Sequence, residues 1–250
     1  MTAALELDLV RSVVRAEARR VGLTLVTPDS PSIARSALRL AIAAWSPLTL
    51  EEVEQRVSFF VPRIASDVRS LLERIHPAVG DVADVIDLDA PAVYLSSKAW
   101  DVDGVTLGGV WAHERGHDRR DRAVRATMGV IGSALWGGAY LVHPTIRGWE
   151  EGTCYTSDVV ARVVLAGDDP EAVARGALVS LRGYDLDGPG EATAADAIRS
   201  AALSLKAGAL PGVGTPIHET LQALARAGWK PGPWAEAIGA DRATVEPGGA

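Results

Sequence analysis

His113-Glu114-Arg115-Gly116-His117 is the segment from which the rest of this 250-residue chain is best understood. On an α-helix, residues four apart stand on one face, about one turn along the axis. Imidazoles at 113 and 117 can then aim at one point about 2 Å from each, the distance a zinc ion requires. Glu114 follows the first histidine and points slightly aside, so its carboxylate reaches a water on the ion rather than the ion itself. Zinc brings the pKa of such a water toward neutrality, and the glutamate takes its proton as the water attacks a polarised carbonyl. The spacing therefore predicts a helix carrying Zn2+ on His113 and His117, with Glu114 as general base and acid. The competing reading is two satisfied core histidines flanking an exposed glutamate.

Outward from the motif, Val105 to Val110 supplies an apolar approach, and the helix is expected from about Val105 to Thr127. Asp101-Val102-Asp103-Gly104 reads as the turn before it, and Ala92-Val93-Tyr94-Leu95-Ser96 as a strand. Between Ala126 and Val142 there is no charged residue. That run approaches the length of the shortest membrane-spanning helices. Gly129, Gly132, Gly137 and Gly138 lower its helix propensity, so a buried helix end followed by an apolar hairpin or loop is expected.

The first third reads as helical. Ser30-Pro31 opens one helix through Ile42. Thr49-Leu50-Glu51-Glu52 forms a capping box for a second, whose apolar stripe runs from Val53 through Val57, Phe60 and Val61 to Ile75, kinked or divided at Pro62. Short strands and turns follow from Gly80. Beyond the motif, Asp169-Pro170-Glu171 starts a helix to about Leu181, Glu191–Ala207 is an alanine-rich helix, and Thr215-Pro216 starts one that stops at Gly228. The expectation is an α+β, mainly helical chain with a small mixed sheet before the motif helix. It divides into an N-terminal helical region, 1–78, and a catalytic region with a helical C-terminal part, 79–250, or forms one continuous domain.

Composition narrows the function. The formal charge of −7 disfavours a nucleic-acid partner, which needs clustered Lys and Arg. The basic patches Arg15–Arg20 and Arg115–Arg125 are interrupted by acidic residues and read as solvated helix faces. A single cysteine, Cys154, forbids an intrachain disulfide and suits a reducing, cytoplasmic location. No phosphate-binding glycine loop and no Gly-x-Ser-x-Gly elbow competes with the metal motif.

A catalytic zinc usually has three protein ligands and one open position. Downstream, the candidates for the third are His143, Glu150, Glu151, Cys154, Asp158 and His218. Trp149-Glu150-Glu151-Gly152-Thr153-Cys154-Tyr155 resembles the second zinc-binding helix of gluzincin metallopeptidases of the peptidase-MA-like group, where a tryptophan shortly precedes Glu-Gly. The resemblance covers roughly residues 94–158. It implies a zincin-like fold, Glu151 as third ligand, and cleavage of peptide bonds in a peptide or protein substrate. Tyr155 stands one turn beyond Glu151, where gluzincins often carry an acidic residue. Asp158, two turns on, can orient a histidine ligand. Tyr155 and His143 are candidate donors to a developing oxyanion. Amidase activity, a non-catalytic metal-binding protein, and a membrane-associated protease anchored by residues 126–142 are the alternatives.

Overall fold

A computed structural model describes residues 5–32, 35–36, 58–62, 90–212 and 214–239. Most of the helix after Pro31, the capping box at Thr49–Glu52 and the turns from Gly80 to Asp89 lie outside these residues. The described part is mainly helical with one three-stranded mixed sheet. It divides into two compact units: 1–14, 103–117 and 137–250 form one, and 15–102 with 118–136 form the other.

The second unit holds the sheet. Strand β1 (Thr24–Val26) pairs in parallel with β3 (Ala92–Leu95), and β2 (Ser58–Val61) pairs antiparallel on the other side. All four residues of β3 are buried, as an unbroken apolar run at the centre of a sheet should be. The sequence expectation for this strand holds. The helical stripe expected through Phe60 and Val61 is corrected by β2, in which Phe59 faces Tyr94 and Phe60 faces Val93, while the rest of that stripe lies outside the described residues. Two aromatics and a valine ahead of Pro62 suit a half-buried pleat, and the non-local pairing overrides the helical period.

The motif lies on helix α3 (Gly104–Val142), which follows α1 (Leu7–Val21) and the short α2 (Ser97–Trp100). Asp103 caps α3, its carboxylate accepting from Thr106 N at 2.7 Å and from the Thr106 hydroxyl. The helix breaks at Gly129, whose φ of 68° and ψ of −164° are open to glycine alone. Four residues past the break, Ser133 hydrogen-bonds Asp121. Along a straight helix those two would stand about 18 Å apart, so the chain reverses at Gly129 and α3 is a helical hairpin. The glycine-rich run thus turns back as expected, but the helix end is exposed rather than buried, with Met128, Ile131 and Leu135 in solvent. Among the described residues, no helix is long and apolar enough to cross a membrane.

One basic segment also departs from its sequence reading. Arg115, Asp118 and Asp121 are buried rather than solvated. Arg122 bonds Asp118 at 2.7 Å and Arg125 approaches Asp121 at 3.5 Å, so the mixed charge of this segment builds part-buried ion pairs in which partly exposed arginines cover buried aspartates.

In the first unit, helix α4 (Pro144–Ala161) lies between the motif residues of α3 on one side and α6 (Gly188–Lys206) on the other. Glycines set both approaches. A β-carbon at Gly109 would meet Asp158 and Ala161, and one at Gly116 would meet Cys154 Sγ at 2.8 Å. On the opposite face, a β-carbon at Gly148 would lie 2.3 Å from the Gly190 carbonyl oxygen, and one at Gly152 would lie 2.4 Å from Ala194 Cα. Helices α5 (Pro170–Leu181) and α7 (Pro216–Arg226) complete this unit with buried Leu181, Ile217, Leu221 and Leu224.

Candidate metal centre

Gly109, His113 and Gly116 recur at helical spacing, so the face of α3 that comes closest to α4 is the one bearing the imidazoles. The facing side of α4 carries Glu150, Glu151, Cys154 and Asp158. His113 Nε2 lies 3.3 Å from Glu151 Oε2, and His117 Nε2 lies 3.6 Å from Glu151 Oε1. The other ring nitrogens are held from behind: His113 Nδ1 by Asp158 at 3.0 Å, and His117 Nδ1 by Glu150 at 2.9 Å. Each carboxylate fixes the tautomer with hydrogen on Nδ1 and leaves Nε2 directed at Glu151, the arrangement found behind metal-ligating histidines.

The hairpin closes the site from a third side. Tyr140, on the returning arm of α3, donates its hydroxyl to Glu151 Oε1, and its ring stands edge-on to His117 with centroids 6.0 Å apart. Arg147 holds that arm in place, donating to the carbonyls of Tyr140, Leu141 and Tyr184. Tyr155 stands edge-on to His113 at 4.9 Å, and the hydroxyl of Tyr184 is hydrogen-bonded to that of Tyr155. Glu151 is 1% exposed, and its Oε2 has no hydrogen-bond partner among the described residues. A buried carboxylate oxygen left in that state is costly.

Electrostatics follow from this packing. Burial alone would lower the pKa of His113, but the Asp158 and Glu151 carboxylates outweigh it and raise it well above its ordinary value. Burial opposes the charge on His117 too, but its neighbours Cys154, Glu151 and Glu150 outweigh that and raise its pKa well above the ordinary value. Burial would push Glu151 up, but the His117 charge and the His113 contact pull it down to about 2. Glu150, Glu151 and Asp158 therefore surround two imidazoles whose protonated form this packing favours. One dication can take the place of those two protons with no change in total charge.

The residues fit a metal. His113, His117 and Cys154 offer ligand atoms within 4.8 Å of one another, and the Glu151 carboxylate approaches both imidazoles from the same helix as Cys154. A set of nitrogen, oxygen and sulfur donors suits zinc. The structure therefore brings together seven residues named from sequence: His113, His117, Glu150, Glu151, Cys154, Tyr155 and Asp158. Glu114 is buried one residue beyond His113. His143 is exposed at the N-cap of α4. His218 is occupied in a local turn, accepting from Gly214 N.

Sequence reasoning missed Tyr140 and the partnership of Glu150 with His117, and it named Cys154 only among the candidates for a third ligand. No signal within the glycine-rich run distinguished Tyr140; only the reversal at Gly129 brings it back to the motif. No protein-family model, no curated protein and no solved structure matches the chain.

Proposed function

We propose that this protein is a zinc-dependent hydrolase, a metallopeptidase of gluzincin type that acts on a peptide or protein substrate. The observation that carries this reading is the convergence of both Nε2 atoms on the Glu151 carboxylate, with each Nδ1 anchored to its own carboxylate. Two core histidines with no further task need not both approach one buried carboxylate.

His113, His117 and Glu151 hold the ion. Zinc, when bound, supplies a Lewis acid for the scissile carbonyl and for the attacking water. Glu114 accepts the proton from that water and returns it to the leaving amine. Tyr155, beside His113, is the candidate donor to the carbonyl oxygen as negative charge grows on it. Asp158 and Glu150 hold the rings in register. The net charge of −7 argues against a nucleic-acid substrate, and the single cysteine suits a cytoplasmic setting.

The test is Glu114→Gln, assayed by metal analysis and by cleavage of a peptide library. The variant should keep zinc and lose cleavage. Equal cleavage by both proteins removes Glu114 from the mechanism. A second reading, a metal site without turnover, draws on Cys154 beside the imidazoles, because four protein donors characterise structural rather than catalytic zinc.

A further inference from the structure

We infer that Cys154 is a fourth protein ligand, so that the metal rests in a closed His113, His117, Glu151, Cys154 set and hydrolysis waits on departure of the thiolate. This rests on the metal-site reading above and adds a regulation to it.

The geometry has three parts. Glu151 and Cys154 are three residues apart on α4, so they share one helical face and address the same point. Cys154 Sγ lies within 4.8 Å of ligand atoms on both imidazoles. Glu151 Oε2, buried in the same cluster, accepts no hydrogen bond among the described residues and lies 3.3 Å from His113 Nε2, where it can serve as a metal donor. Zinc takes nitrogen at about 2.0–2.1 Å and sulfur at about 2.3 Å. In a tetrahedron such donors stand well under 4.8 Å apart, so binding draws the cluster together by small side-chain movements.

Gly116 makes the approach possible. A β-carbon there would lie 2.8 Å from Cys154 Sγ, so any larger residue within the motif would push the sulfur off the imidazoles. Cys154 itself is 3% exposed, which shelters the thiol from bulk solvent. The step balances: the thiol gives its proton to solvent as the sulfur bonds the dication, in addition to the protons that the two imidazoles release on binding it. With four protein donors a tetrahedral ion has no place for water or a carbonyl. The thiolate must leave, and take back a proton, before either can enter.

Cobalt(II) titration of the full-length protein tests this, because a thiolate ligand adds a sulfur-to-cobalt charge-transfer band in the near ultraviolet. Wild type should bind one equivalent with that band. Cys154→Ser and Cys154→Ala should bind one equivalent without it and at least tenfold more weakly, with unchanged circular dichroism. Gly116→Ala should diminish the band. Equal spectra in wild type and both Cys154 variants overturn the thiolate ligand while leaving the metal site standing. Failure of folded wild type to bind cobalt overturns the metal site itself, and this inference with it. Loss of folding in Cys154→Ala alone leaves Cys154→Ser to decide.

Discussion

Substituting one methyl group at Gly152 should damage both stability and metal binding. The added β-carbon of Gly152→Ala would stand 2.4 Å from Ala194 Cα and 2.9 Å from Ala194 Cβ, whereas ordinary contact begins at 3.4 Å. The nearest atom is backbone, so no side chain can rotate out of the way. Helices α4 and α6 must separate by about 1 Å, the shortfall at the closest pair. Overpacking of that kind costs about 1–3 kcal/mol, which for a chain of this size lowers Tm by about 2–12 °C. Glu151 directly precedes Gly152, and Cys154 is two residues on. Metal sites tolerate ligand shifts of only about 0.2 Å, so zinc affinity should fall on the order of tenfold or more. Gly176 is the control: a β-carbon there meets nothing within 4 Å, and alanine in an exposed helix should stabilise by about 0.5–1 kcal/mol. Thermal unfolding, with and without zinc, together with competition titration against a chelator reads both effects. A Gly152→Ala protein with wild-type Tm and affinity would refute the close packing of α4 on α6.

Three further outcomes follow. Asp158→Asn should keep the fold but weaken zinc binding by about 10–100-fold, since it removes the carboxylate that orients His113; chelator competition measures it, and unchanged affinity contradicts the orienting role. Arg147→Met should loosen the returning arm of α3, whose Tyr140 and Leu141 carbonyls Arg147 ties to that of Tyr184, and hydrogen exchange at residues 137–142 should quicken relative to wild type; equal exchange contradicts the clasp. In the metal-free protein, the raised His113 and His117 values contribute stability that is complete below their ordinary 6.5 and lost as pH rises through the folded values. The depressed Glu151 contributes stability present above 4.5 and lost as pH falls toward 2. Zinc replaces the two imidazole protons, so the gain in Tm on adding zinc should widen from about pH 6 to about pH 8; a gain that narrows contradicts the assignment of those imidazoles as ligands.

Local chemistry made part of this legible in the sequence. The span from His113 to His117 needs only helical geometry, Asp103 and Pro170 mark helix starts by their own side chains, and Ala92–Leu95 shows itself as a strand by its apolar run. Glu151 stood out only through the resemblance of Trp149–Tyr155. What stayed hidden depends on pairing between distant segments. Ser58–Val61 fits a helical stripe until β3 claims it, Arg115 reads as solvated until Glu219 meets it at 2.9 Å, and Tyr140 is an aromatic in a glycine-rich run until the chain turns back. Cys154 belongs with these. Its reach toward the imidazoles depends on a glycine 38 positions earlier in the chain, which no spacing rule connects to it.

Metal content of the purified protein bears most directly on the central claim. Elemental analysis after exhaustive dialysis should find close to one zinc per chain in wild type, and little in folded His113→Ala and Glu151→Ala. Wild type that stays folded yet takes up no divalent ion, or a Glu151→Ala protein that holds zinc as tightly as wild type, would contradict it.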